Sequence, residues 1–322
     1  MKKLLLKIAA VSFGLCACAV SQAEDWPKQP VKVVVNFAAG GAADQLARVV
    51  GVPLQQALGQ PVVIDNKGGA GGNLGGEFVA KSAPDGYTLL MSSGGMVSIN
   101  PHIYARMPFD PAKDLTPVAA VARVPFYLVV RSDSPAKSYK DLIADLKANP
   151  GKRAFGSPGN GSSPHLAAEM MTAQTGTSAV HVPYKGAAPA LTDLLGGQID
   201  FLFDPGIAIQ YVKTGKLRML AVASLRRSPL VPDVPTLDEL GLKGFDADAV
   251  FGLYAPAGTP QAVIRRVNAE VNRALESPAV RSRIEILGNV PEPLTPVAFG
   301  EKGVADFKRF GTVIKERGIR AD

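Results

Sequence analysis

Cysteine is nearly missing from this chain of 322 residues: there are two, Cys16 and Cys18, both close to the start. Histidine is almost as scarce, with His102, His165 and His181 the full set, and tryptophan occurs once, at Trp26. Long apolar runs are absent beyond the first two dozen residues; the best later candidate, 118–130, is interrupted by Arg123, Pro125 and Tyr127, so nothing there reads as a membrane span. Each shortage excludes a class of function. Three histidines far apart in sequence, none in an HExxH or similar spacing, give a metal site no local support. No G-x-S-x-G elbow surrounds a serine, so nucleophilic hydrolysis lacks its motif. Lysine and arginine are scattered among acids rather than gathered on a basic face, which argues against nucleic-acid binding.

What is present begins with Lys2, Lys3 and Lys7 ahead of an apolar run from Ile8 to Val20 that ends at Ser21-Gln22-Ala23. That pattern reads as a secretory signal peptide, residues 1–23, cleaved after Ala23, and places the protein in the periplasm. An alternative lies in Leu15-Cys16-Ala17-Cys18, which resembles the box before a lipid-modified cysteine and would make the protein a lipoprotein through Cys18. Cleavage after Ala23 leaves a chain without cysteine, hence without disulfides or thiol chemistry, and loss of three lysines and no acids takes the formal charge from +7 to +4.

Beyond this segment, short β-branched runs alternate with helical patterns, the signature of a parallel α/β layer. Strands are predicted at 31–35, 62–65, 87–92, 127–131, 154–156, 179–182, 199–203, 217–223 and 250–254, and the tail from Pro260 is mostly helical with a break near Asn289 to Pro296. Helix starts are marked by Ser138 with Asp141 three residues on, and by Ser163-Pro164, with serine as the cap and proline in the first turn.

One arrangement occurs twice about half a protein apart: a strand, a glycine-rich turn, then a helix. The first copy spans Val35 to Asp44 through Gly40-Gly41; the second spans Phe155 to His165 through Gly159 to Ser163. Helix N-termini expose unpaired N–H groups and the positive end of the dipole, so each turn is a candidate anion seat at the carboxyl end of a strand. Two such mouths facing each other would form a cleft. Asp44 either pairs with Arg48 one helical turn on or orients a ligand; Ser92 and Ser93 end another strand, Tyr184 follows a short one, and Asp204-Pro205-Gly206 puts a carboxylate at a third. Gly68 to Gly76 matches neither dinucleotide nor P-loop fingerprints and reads as a mobile or tightly turned surface loop.

In order along the chain, the Phe37–Asp44 turn, Gly59-Gln60-Pro61-Val62-Val63, Pro84-Asp85-Gly86-Tyr87-Thr88-Leu89, Asp114 to Val118, Gly156 to His165, His181 to Gly186, Gly215 to Arg218 and Ala255 to Pro260 resemble the substrate-binding proteins of tripartite tricarboxylate transporters. The resemblance implies a type II periplasmic binding fold, with two α/β lobes around a ligand cleft: 24–124 plus 247–322 in the first and 125–246 in the second. It implies a monomer that takes a small carboxylate, whether a di- or tricarboxylate, an aromatic acid or an amino acid, needs no cofactor, catalyses no reaction and delivers its cargo to membrane permease subunits. Presentation of the ligand to a sensor kinase, and hydrolysis on a similar scaffold, stay as alternatives. On these grounds the expected contacts are Phe37, Ala39, Gly40, Gly41, Asp44, Ser92 and Ser93 from one lobe, and Ser157, Gly161, Ser162, Ser163, His165, Tyr184 and Asp204 from the other. Two departures stand out: Ala38-Ala39 where the family usually carries prolines, and Phe251 where tryptophan is common.

Overall fold

The computed structural model describes residues 26–320; the expected signal segment lies outside them. The first part of the chain runs β1 (Val31–Val35), α1 (Ala42–Leu58), β2 (Val62–Asn66), α2 (Asn73–Ala80), β3 (Thr88–Ser92), α3 (Gly94–Ser98), α4 (Asn100–Ile103), α5 (Pro111–Asp114) and β4 (Leu115–Val124). The middle runs β5 (Tyr127–Arg131), α6 (Tyr139–Ala148), β6 (Ala154–Ser157), α7 (Ser163–Thr175), β7 (Val180–Pro183), α8 (Ala187–Leu195), β8 (Phe201–Asp204), α9 (Ile209–Lys213) and β9 (Leu217–Val222). The chain then returns through β10 (Ala249–Pro256), α10 (Gln261–Glu276), α11 (Pro278–Ile286), β11 (Val290–Pro291) and α12 (Pro296–Arg317).

These strands make two sheets, ordered β11-β4-β10-β3-β1-β2 and β7-β6-β8-β5-β9. Both combine parallel pairs with antiparallel ones: β1 is parallel to β2 and β3, β6 to β7 and β8, whereas β10 and β5 run against their neighbours. The antiparallel strands lie where the chain crosses between sheets. At the crossing, Ala223 N–H donates to Phe126 O at 2.8 Å and Ala247 N–H to Ala223 O at 2.9 Å, so the two connections are bonded side by side. Such a pair resists separation while leaving few torsions to bend, which suits a hinge.

Local sequence explains the elements nearest the cleft. In α1, Ala43, Leu46, Ala47, Val50, Leu54 and Leu58 recur at three- and four-residue spacing and are buried, and Gly59 ends the helix in the left-handed conformation at φ 67°. β4 is buried along most of its length and shows no alternation, which is why Leu115–Val124 does not read as a strand by period. Pro125 separates it from β5, so the apolar run 118–130 is two strands in two sheets. Gly68–Gly76 is not a surface loop: it turns into α2, and Gly71, Gly72, Gly75 and Gly76 are buried. Side chains at Gly75 and Gly76 would collide with Asn36, Met96 and Phe109, so close packing explains these glycines. α7 begins one residue earlier than its sequence suggests, capped by Ser162 instead of Ser163.

Candidate functional site

Helix N-termini from both lobes meet between the two sheets. α1 starts at Ala42 after Gly41, α7 at Ser163 after Ser162, and α8 at Ala187 after Gly186. All three border one cavity. Its first-lobe wall is Phe37, Gly41, Ala42, Ala43, Ser93 and Phe251; Pro158, Ser162, Pro164, Ala187 and Pro205 face them, with Phe126 contributed by the crossing segment. The lobes approach so closely that the free volume between these walls is about 20 Å³, room for roughly one water molecule.

Among the described residues no lysine, arginine or histidine lines this space. The positive potential there comes from the backbone: first-turn amides such as those of Ala42 and Ala43 have no preceding turn to donate to, and each helix dipole places about half a positive charge at its start. Polar side chains are sparse. Ser93 Oγ, in the wall, and Ser163 Oγ, behind it, are buried with no hydrogen-bond partner among the described residues, an arrangement that costs about 1–3 kcal/mol apiece unless something else pairs with them. Ser162 Oγ is already used, donating to Gly159 O at 2.7 Å and accepting from His165 N–H at 3.4 Å.

Of the residues expected from sequence, Phe37, Gly41, Ser93 and Ser162 line the cavity, and Ser163 is buried at the mouth of α7. The others are placed differently. Ala39 is exposed at the tip of its turn. Gly40 N–H donates to Asp44 Oδ2 at 2.9 Å, and Asp44 in turn accepts from Arg48 Nε at 3.0 and 3.1 Å, so the acid fills the anion seat of its own turn. Burial pushes the Asp44 carboxyl up, but hydrogen bonds from Arg48, Gly40 and Asn66 outweigh it and hold the group below the usual range. Ser92 Oγ accepts from Asn36 Nδ2 at 2.9 Å and donates to Ser93 O at 3.0 Å, behind the wall. Tyr184 donates its hydroxyl to Asp193 at 2.6 Å instead of turning to the cavity.

The second turn closes on itself without a carboxylate. Ser157 Oγ accepts Gly159 N–H at 3.1 Å and His165 Nδ1 accepts Gly161 N–H at 3.3 Å. His165 and His181, far apart in sequence, stack with ring centroids 4.1 Å apart, and His181 Nε2 lies 2.6 Å from Ser157 Oγ. Burial, reinforced by His165, drives His181 down to about 3, leaving it neutral. Asp204 Oδ2 accepts from Gly206 and Ala208 N–H at 2.6 and 2.8 Å while Oδ1 has no partner; full burial pushes this carboxyl up to about 7 against those two bonds. Among the described residues no group of three or more His, Cys, Asp or Glu could hold a metal ion, and no helix is long and apolar enough to cross a membrane.

Sequence reasoning missed the apolar wall. Phe126 sits in a crossing segment recognisable only once both sheets are known, and Pro158, Pro164 and Pro205 flank motifs whose polar members drew attention. Phe251, noted for its residue type, does line the cavity.

The same architecture is found in solved relatives. The chain is similar to a periplasmic binding protein named BugD (TM-score 0.88, 35% identity, 92% of this chain and 99% of that one). It is similar also to a Rhodopseudomonas palustris protein solved with adipate (0.89, 35%, 92% and 99%) and to MatC of the same organism with bound malate (0.86, 34%, 90% and 100%). In sequence it is 37% identical over 323 residues to Protein BugT of Bordetella pertussis, covering 99% of both chains. Residues 46–319 match the family model described as tripartite tricarboxylate transporter family receptor. With that match, the near full-length relatives and the two-sheet α/β architecture, the chain belongs to the tripartite tricarboxylate transporter receptor family of periplasmic solute-binding proteins.

Proposed function

We propose that this protein captures a small carboxylate between its lobes and delivers it, chemically unchanged, to membrane permease subunits of a tripartite transporter. The observation that carries the reading is the convergence of three helix N-termini on one interlobe cavity that has no cationic side chain. An anion there is met by first-turn amides and by the unpaired hydroxyl of Ser93, while Phe37, Phe126 and Phe251 take a short hydrocarbon body. Adipate and malate in the solved relatives support a carboxylate as the class. Because the shut cavity is so small, loading requires the lobes to part about the crossing segments.

Thermal unfolding against mono-, di- and tricarboxylates, adipate and malate included, tests this. A ligand at 100 times its dissociation constant adds about 2.7 kcal/mol to stability. At least one acid should raise Tm and be recovered unaltered after incubation; no shift across the panel, or a chemically altered acid, overturns the proposal.

A further inference from the structure

We infer that Gly95 and Gly186 are positioning residues whose missing side chains let the lobes shut fully, so that they set ligand affinity from outside the cavity wall. The inference rests on the capture reading above. A Cβ built on Gly95, in α3 of the first lobe, would stand 2.7 Å from Ser163 Oγ, 3.2 Å from Ser163 N and 3.4 Å from Gly161 O. All three atoms belong to the second lobe. A Cβ on Gly186, which caps α8 in the second lobe, would stand 2.8 Å from Ala38 Cβ, 2.9 Å from Ala38 N and 3.3 Å from Ala38 Cα, all in the first. The collisions are reciprocal across one seam, where Ala38 N–H donates to Lys185 O at 3.0 Å and Tyr104 Oη–H to Asn160 O at 2.7 Å.

Neither glycine is demanded by its own lobe. Gly95 is helical, where alanine is intrinsically preferred, and Gly186 has φ 166°, extended backbone open to any residue. Gly75 and Gly76 differ in this respect, because their nearest neighbours are in their own lobe. A methyl group at Gly95 or Gly186 therefore has little to meet in the open protein and a wall to meet in the closed one. It penalises closure selectively, and affinity falls with the fraction of molecules able to shut.

Gly95→Ala and Gly186→Ala test this against Gly303→Ala, a helical position in α12 where a Cβ meets nothing within 4 Å. Adipate and malate are the first probes, by titration calorimetry, followed by the wider acid panel. For an acid that binds the wild type, Gly186→Ala should weaken affinity at least tenfold, since backbone and Cβ atoms oppose it. Gly95→Ala should weaken it severalfold, because the Ser163 hydroxyl can rotate aside, and Gly303→Ala should leave it unchanged. Melting temperatures without ligand should not fall for Gly95→Ala, which separates closure from folding. Small-angle X-ray scattering should show a larger radius of gyration for Gly186→Ala than for wild type, with and without acid. Equal affinities, or equal radii in both states, overturn the seam. If no acid binds the wild type, the capture reading fails, and the ligand-free radii alone decide the seam.

Discussion

The two glycine turns face the same difficulty and resolve it with different chemistry. Each brings backbone N–H groups into a tight bend ahead of a helix, where they lack partners. In the first lobe a carboxylate supplies the acceptor: Asp44 takes the Gly40 amide and is neutralised by Arg48. In the second lobe a hydroxyl, a ring nitrogen and a carbonyl do so, through Ser157 Oγ, His165 Nδ1 and Gly159 O. Both solutions leave the turn interior satisfied, but the first lobe keeps the Ala42 and Ala43 amides at the start of α1, whereas in α7 Pro164 has no N–H and Ser162 Oγ takes that of His165. What looks from sequence like a pair of anion seats is a pair of self-filled turns that aim the helices behind them.

The sharpest way to break this comparison is to remove the charged acceptor. Asp44→Ala removes the acceptor of the Gly40 amide and the partner of a half-exposed Arg48, and should cost about 1–2 kcal/mol in urea unfolding at pH 7. Its pH dependence is also specific. The depressed carboxyl contributes stability that is present above its unfolded value near 4 and lost as pH falls through the folded one, so wild type and variant should converge in acid. A loss that persists unchanged at pH 2 would show that packing, not charge, is at stake.

Asp204 has the opposite sign. Held up at about 7, its carboxyl keeps a proton in the folded protein that the unfolded chain has released above about pH 4, so stability from this group is full at low pH and declines as pH rises from about 4 to 7. Asp204→Asn preserves an acceptor for Gly206 and Ala208, and should stabilise the protein at pH 8 by on the order of 2 kcal/mol while flattening that decline. His181, held down near 3, works against it by costing stability as pH falls below about 6.5, and should dominate the slope that remains in the variant. Equal slopes in the two proteins above about pH 8 and below about pH 3 are the internal control.

The effects of two serines differ in sign. Ser162→Ala removes the α7 cap and should lower stability by about 1 kcal/mol. Ser93→Ala deletes a hydroxyl with no partner among the described residues, so stability without ligand should not fall, and should rise by up to about 1–3 kcal/mol, while affinity for a captured acid falls about tenfold. Equal behaviour of the two in both measurements would erase the distinction between a residue that holds the turn and one that faces the ligand.

Legibility from sequence followed local determinacy. β1, with Val31, Val33, Val34 and Val35, and α1, with its buried spacing and Gly59 stop, were readable because their neighbours in sequence set them. β4 was not, because a strand buried on both faces has no alternation and Pro117 and Arg123 disguise it. Phe37, Gly41, Ser93 and Ser162 were found in the wall because they belong to turn and cap motifs. Ala42, Ala187 and Phe126 escaped notice because amides and apolar walls have no residue code. Tyr184 and Asp204 attracted attention as polar groups at strand ends, yet their hydrogen bonds go to Asp193 and to the following turn.

By itself the sequence determined the alternation of strands and helices, the two glycine turns, the cap at the start of α7 to within a residue, and the family resemblance, all of which rest on backbone preferences and short-range order. The tertiary structure alone decided which amides are free, that Asp44 consumes its own seat, that His165 and His181 stack, and that Gly95 and Gly186 face a lobe more than 60 residues away in one case and more than 140 in the other. Those depend on distances between segments that only the closed arrangement of two sheets brings together.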